Sequence, residues 1–374
     1  MTGRPRRSAI GPTNDCPLPP TTSPANDHSP QSATRPTNNH SPQPATRPTN
    51  NRPLPPATTT DAAVIGLDLG GTKIAAALLG PDGTVLARHT RPTPARDGAA
   101  AVLDALAGAA AAVDPGRLAA ALGIAAAGVV DSRTGMVTSA TGSISGWAGT
   151  ALGTGLADRT GYPVACDNDV RATAGPELAA LVADGGPDQG SLLFVAVGTG
   201  VGGAIAVDGR MLHGAAGLAG HLGHLPSPEA AGLPCTCGGA GHLEVIASGP
   251  GIAAHYARLT GTGTPVDRLE TVAARAGQGD AAAVRAITTG AAATGQVLGG
   301  LANALGPDRV VVGGGVPRIG PLYGDALAAA FTAELMPPLR GLLPRAPLFG
   351  ADAAVLGAAA LTTTLPLHRP GVLR

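Results

Sequence analysis

Aromatic side chains are scarce in this chain, with one Trp, three Tyr and three Phe in 374 residues. A core of this size must then be built from Ala, Val, Leu and Ile, which the 44% apolar content supplies. An excess of one charge is also missing. Twenty-five basic and 25 acidic residues give a formal net charge of +0, which argues against a nucleic-acid or anionic-membrane surface. No apolar run reaches the roughly 18–20 residues of a membrane span. The N-terminus is basic but lacks the apolar stretch of a signal peptide. Four cysteines, two of them as Cys235-x-Cys237, do not make a disulfide framework for so long a chain. Lysine is reduced to Lys73 alone. That excludes a Walker-type phosphate loop, which needs Gly-Lys-Ser/Thr, because Lys73 follows Thr72. The expectation is a soluble cytoplasmic protein of two domains or lobes.

Residues 1–60 are rich in Pro, Thr, Asn and Ser, with almost no apolar content. A 12-residue repeat runs from His28 to Asn39 and again from His40 to Asn51. Such a segment cannot bury enough surface to offset its ordering entropy, and it reads as disordered. It also reads as an upstream extension, with the working protein starting near Asp61 to Val64.

From Val64 two halves rhyme. Val64–Leu69, a Gly70-Gly71 bend, Lys73–Leu79, a Pro81-Asp82-Gly83 turn and Thr84–Arg88 read as strand, bend, strand, turn, strand. Leu192–Val197, a Gly198–Gly203 bend, Ala204–Val207, an Asp208-Gly209 turn and Arg210–Leu212 repeat that order. Ala-rich helical stretches fall near 98–112, 150–160 and 281–305. The pattern is a duplicated α/β lobe with one glycine-rich hairpin per lobe, and two such hairpins would offer backbone N–H groups to a polyphosphate from both sides. Gly198-x-Gly200-x-x-Gly203 also matches the dinucleotide-binding pattern of a Rossmann fold. That pattern needs a helix to open at the glycines, and a hairpin follows here instead.

The stretch from Gly220 to Glu244 gathers His221, His224, Cys235, Cys237, His242 and Glu244 among glycines and a Pro-rich loop. His224, Cys235, Cys237 and His242 offer two imidazoles and two thiolates, the ligand set of a tetrahedral zinc. Four protein ligands leave no open position, so this zinc would be structural. The alternative is a metal-free loop with reduced thiols.

Five motifs in order carry a resemblance: Asp68–Lys73, Asn168-Asp169, Gly198-Thr199-Gly200, Gly220–His224 and Cys235-x-Cys237-Gly238. Across roughly residues 62 to 365 the chain resembles the ROK family of sugar kinases and repressors. The resemblance implies the actin-like, ribonuclease H-like two-lobed fold with an interlobe cleft. One lobe would span 62–170 plus 355–366 and the other, with the zinc motif, 171–354. It implies ATP, Mg²⁺ and a sugar as ligands and a homodimer, which is usual for the family, while the balanced charge leads to the expectation of no nucleic acid or membrane partner. Asp169 would be the base that takes the sugar hydroxyl's proton. Asn168, Gly146, Trp147, His221, His224 and Glu244 would face the sugar beside it. Asp68 would meet Mg²⁺, while Gly70, Gly71, Thr72, Lys73, Gly198, Thr199, Gly200, Gly202, Gly313 and Gly314 would border the nucleotide.

Plainer roles compete with these. The Asp167–Asp169 run could cap a helix. Asp68 could bond the amides of its own turn, Lys73 could be a solvated surface residue, and Trp147 could pack the lobe interior. Val310–Val316 could be a strand ending in a flexible turn.

His221 stands where many family glucokinases carry Glu, and bacterial N-acetylmannosamine kinases resemble this chain in having His there. The expected activity is 6-phosphorylation of a hexose or N-acylhexosamine, with N-acetylmannosamine ahead of glucose or N-acetylglucosamine. The chain departs from the family pattern at His242, where a third zinc Cys is usual. It also departs at Arg171, where Asn-Asp-x-Asn has its second Asn, and at Ser143, near a common sugar-contacting Asn. A ROK repressor would need an N-terminal helix-turn-helix, and residues 1–60 lack the apolar period of any helix. A sugar sensor without catalysis is the remaining alternative.

Overall fold

A computed structural model describes residues 62–185, 190–261 and 268–371. The expectation for residues 1–60 lies outside them. The described chain opens with β1 (Ala63–Leu69), β2 (Lys73–Leu79), β3 (Val85–Pro92), α1 (Gly98–Val113), β4 (Ala119–Ala126), β5 (Val129–Asp131) and β6 (Met136–Ser139). It continues through α2 (Leu152–Thr160), β7 (Val164–Asn168) and α3 (Asp169–Gly185). Next come β8 (Leu192–Val197), β9 (Val201–Val207), β10 (Arg210–Met211), α4 (Glu244–Ala247), α5 (Gly249–Thr260) and α6 (Leu269–Gly277). The chain ends through α7 (Ala281–Leu305), β11 (Arg309–Gly313), α8 (Pro321–Glu334) and α9 (Ala353–Thr364).

The duplication read from the sequence is explicit in the strand order. One sheet runs β3-β2-β1-β4-β7, a second runs β10-β9-β8-β11, and β5 pairs with β6 in a small third one. In each of the two larger sheets, two antiparallel hairpin pairings are followed by a parallel partner, β4 beside β1 and β11 beside β8. The mixed α/β architecture, with two sheets of matching hairpin-plus-parallel-strand order, is the duplicated arrangement expected from the sequence. β1 is buried along nearly its whole length, as a strand covered on both faces must be. The edge strand β3 alternates half-buried and exposed positions.

A core poor in aromatics is filled by close backbone approach. Gly66 of β1 pairs with Gly123 of β4. A Cβ on either would overlap the carbonyls of Val355 or Ala358 in α9, so the paired glycines form a bed for that helix. In the second lobe the 25-residue α7 is capped by Asp280, whose side chain accepts from the Ala282 and Ala283 amides.

The second hairpin departs from the expected boundaries. β9 begins at Val201, so Gly202 and Gly203 lie inside the strand, paired with Ala196 and Val195. The turn is only Gly198-Thr199-Gly200. A side chain at Gly203 would run into Leu222 and the Phe194 carbonyl. These glycines therefore serve packing, and no helix opens there.

Candidate active site

The parallel register brings the acidic residues together. Asp68 pairs with Ala125 of β4, and Ala125 pairs with Asp167 of β7. The two aspartates stand level across three strands, with Asn168 one residue and Asp169 two residues further, at the carboxyl end of the sheet. Ligand sites gather at such strand ends in α/β folds.

Asp169 opens α3, where a carboxylate is favoured by the helix dipole. Its Oδ1 accepts from Asn168 Nδ2 at 2.8 Å and from the Val170 amide at 2.8 Å. Burial pushes its carboxyl up to about 6, the nearby Asp68 charge adds to that rise, and the two hydrogen bonds oppose it. Asn168 is itself fixed, donating to the Gly128 carbonyl and accepting from the Val170 and Arg171 amides. The helix-cap role is therefore real, and it orients the carboxylate as well.

Asp68 is raised by burial, with Lys73 partly offsetting the rise. Its carboxylate makes no hydrogen bond among the described residues. The Gly70 amide turns instead to the Lys73 carbonyl, 3.0 Å away. An unbonded, half-buried carboxylate near a second one fits a divalent cation, because a cation would relieve both. Thr72, Lys73 and Thr199 are exposed beside the glycine turns.

Gly314 follows β11 with φ +98, and a Cβ there would overlap the Val197 carbonyl, so two strand ends meet at bare backbone. A Cβ on Gly198 would meet nothing within 4 Å, which leaves that turn open. Gly146 is exposed with φ +63. Trp147 needs correction as a sugar-facing residue. It is 1% exposed within the first core, and its indole N–H donates to the Ala127 carbonyl at 3.0 Å.

The His/Cys stretch converges as expected. One ligand atom from each of His224, Cys235, Cys237 and His242 lies within 4.8 Å of all the others. Cys235 Sγ is 3.6 Å from His224 Nδ1, and Cys237 Sγ is 3.2 Å from His242 Nδ1. Tetrahedral zinc, with bonds of roughly 2.3 Å to sulfur and about 2.05 Å to nitrogen, sets an S···N edge of about 3.6 Å. The four residues fit that ion. Glu244 ties this loop to the second hairpin. Its Oε2 accepts from the Val201 amide at 2.9 Å, and its Oε1 from Thr236 Oγ1 at 3.4 Å.

His221 Nδ1 lies 3.0 Å from the Leu218 carbonyl, which can only accept, so Nδ1 carries a proton. Burial lowers the ring's affinity for a second proton, leaving Nε2 as an acceptor. The rings of His221 and His224 are stacked at 6.5 Å.

A buried network beside the base escaped the sequence reading. Arg171 and Asp167 are 0% and 2% exposed and paired at 2.7 Å. His213 Nε2 donates to the other Asp167 oxygen at 2.8 Å. Burial alone would raise the Asp167 carboxyl, but His213 and Arg171 together hold it below its ordinary range. The available signal was an arginine four residues after an aspartate that ends an apolar strand.

The ROK family profile matches residues 64–364. The chain belongs to the ROK family. It is 34% identical to the N-acetylmannosamine kinase of Shigella flexneri, over 80% of this chain and 97% of that one. The ROK hexokinase of Thermus thermophilus superposes with TM-score 0.69 at 34% identity, covering 80% of this chain and 97% of that one. A ROK glucokinase of Streptomyces griseus, solved with glucose and AMPPNP, superposes with TM-score 0.66 at 31% identity, covering 80% and 98%. Among the described residues of this ROK protein, no helix is long and apolar enough to cross a membrane.

Proposed function

We propose that this ROK protein is a sugar kinase that transfers the γ-phosphoryl group of ATP to the 6-hydroxyl of a hexose or N-acylhexosamine. N-acetylmannosamine is the favoured substrate, with glucose or N-acetylglucosamine as the alternative. The observation that carries this is the Asp169 carboxylate, held by Asn168 and the Val170 amide at the sheet's carboxyl end and raised to about 6. A base with that affinity is ionised at neutral pH, yet takes a proton more readily than an ordinary carboxylate. As phosphoryl transfer proceeds, the 6-hydroxyl oxygen bonds to phosphorus, the bond to the ADP oxygen breaks, and the hydroxyl proton passes to Asp169.

Asp68 is the residue suited to hold Mg²⁺, which would neutralise phosphate charge when bound. The Gly70–Lys73 and Gly198–Gly200 turns would present amides and hydroxyls to phosphate oxygens, and Gly313-Gly314 would let the nucleotide approach bare backbone. Asn168, Gly146, His221, His224 and Glu244 form the proposed sugar side. The hydrogen bonds of Glu244 fix its orientation and leave lone pairs for a hydroxyl. His224 would give Nδ1 to zinc and turn Nε2 toward the sugar.

The preference for N-acetylmannosamine rests on His221. Its neutral Nε2 can accept from a hydroxyl or an N-acyl N–H without the charge that a glutamate would bring there. ADP release should be followed over a panel of hexoses and N-acylhexosamines. N-acetylmannosamine should give the highest kcat/KM, and His221→Glu should shift the ratio toward glucose by about tenfold or more. An unchanged ratio would remove His221 from the selection of substrate.

A further inference from the structure

Arg171 occupies the position of the second Asn in the Asn-Asp-x-Asn pattern, and its guanidinium reaches three separate segments. Nε donates to Asp167 Oδ1 at 2.8 Å, at the end of β7. Nη1 donates to the carbonyls of Gly217 at 2.9 Å and Ala219 at 3.3 Å, on either side of Leu218. Nη2 donates to the Val130 carbonyl in β5 at 3.2 Å and pairs with Asp167. Leu218, bracketed by these contacts, supplies the carbonyl that orients the His221 ring, and its own side chain is 51% exposed. His213, at the start of the same loop, binds the second Asp167 oxygen. Asp167 Oδ1 in turn accepts from the Asn168 amide at 2.7 Å, next to the base.

One buried side chain thus joins the turn that carries the base to the loop that carries His221. An asparagine could not do this. Its amide has two N–H donors on a short stem, whereas the guanidinium has five in a planar fork that reaches carboxylate and carbonyls together. We infer that Arg171 is a positioning residue that fixes the distance between Asp169 and His221, and so sets how tightly and which sugar is held. The inference rests on the sugar-kinase reading for its functional part.

The test uses the full chain and two variants. Arg171→Lys keeps the charge beside Asp167 but cannot span both partners. Asp167→Asn/Arg171→Gln removes both buried charges, so that neither is left unpaired. Sugar and ATP KM, sugar affinity by calorimetry without nucleotide, and hydrogen exchange over residues 213–221 are measured for each. The expected result is a sugar KM and dissociation constant raised about tenfold or more, with ATP KM within about twofold. Faster exchange should be confined to residues 213–221. Wild-type sugar affinity together with intact protection of that loop, in either folded variant, would overturn the proposal. So would sugar and ATP KM rising in proportion, the mark of general damage. If the wild-type protein releases no ADP with any sugar, the kinase reading fails on its own. The exchange measurement then decides the clamp, lost protection supporting it and retained protection overturning it.

Discussion

In the first lobe, the strand that leads into the glycine turn carries Asp68, and β7 of the same sheet ends at Asn168 just before Asp169. In the second lobe, the corresponding strand β8 is Leu192–Val197, with no ionisable group, and the residues that could meet a ligand sit on the long connection from Gly214 to Glu244. The order β3-β2-β1-β4 in the first is matched by β10-β9-β8-β11 in the second, and only the first adds a fifth strand, β7. The chemistry-bearing groups of the first lobe are thus held by rigid strand register. Those of the second sit on a loop where His224, Cys235, Cys237 and His242 converge, tied by the hydrogen bonds of Arg171 and Glu244. A loop without a strand ladder needs such ties, because its backbone alone does not fix its side chains.

This contrast predicts different failures. The largest effect on turnover should come from Asp169→Asn, which removes the proton acceptor but keeps the shape. kcat should fall by about 10²–10⁴-fold, while sugar affinity by calorimetry stays within about tenfold. The same substitution should stabilise the fold. The Asp169 carboxyl rises from an ordinary 3.8 to about 6 in the folded protein. Its contribution to stability is therefore fully present below about pH 4 and lost as pH rises through about 6. At pH 8 Asp169→Asn should melt about 3 °C or more above wild type, and at pH 4 the gap should close. In the wild type, kcat/KM should fall below pH ~6 as Asp169 takes up its proton. A variant equally inactive but less stable at pH 8 would break the assignment of Asp169 as a base raised by burial.

Cys235→Ala should give the opposite profile. Zinc, measured by elemental analysis without chelators, should drop from about one per chain to near none, and melting should fall by roughly 5–10 °C. Turnover at low temperature should persist at a reduced level, because a closed four-ligand zinc takes no part in proton transfer. A wild-type protein that purifies without zinc would remove the metal from the account. The smallest of the three effects belongs to Gly314→Ala. Its φ of +98 and the overlap with the Val197 carbonyl should cost about 1–3 kcal/mol of stability. ATP KM should rise severalfold while sugar affinity stays at its wild-type value.

The sequence made much of this legible because period and punctuation carry it. Two strand-glycine-strand runs with matching turns announced the duplicated sheets, and the spacing of His224, Cys235, Cys237 and His242 announced their convergence. Three features escaped. The start of β9 was placed three residues late, because Gly202 and Gly203 read as bend when their missing side chains in fact admit Val170 and Leu222 respectively. Trp147 read either as a sugar contact or as packing for the lobe interior, and only its burial decides for the interior. Arg171 read only as a departure from a pattern. Its partners lie 41 to 48 residues away at Val130, Gly217 and Ala219, and no local period encodes such contacts.

The central claim is that the first lobe's acids perform phosphoryl transfer to a sugar gripped by the second lobe's loop. It is tested most directly by ADP release with Mg²⁺ and ATP over the sugar panel, run in parallel with sugar calorimetry on the same protein. The account predicts sugar-dependent ADP release in the wild type and its loss in Asp169→Asn with sugar still bound. Sugar binding without ADP release from any sugar in the wild type would contradict it and would mark the protein as a sensor.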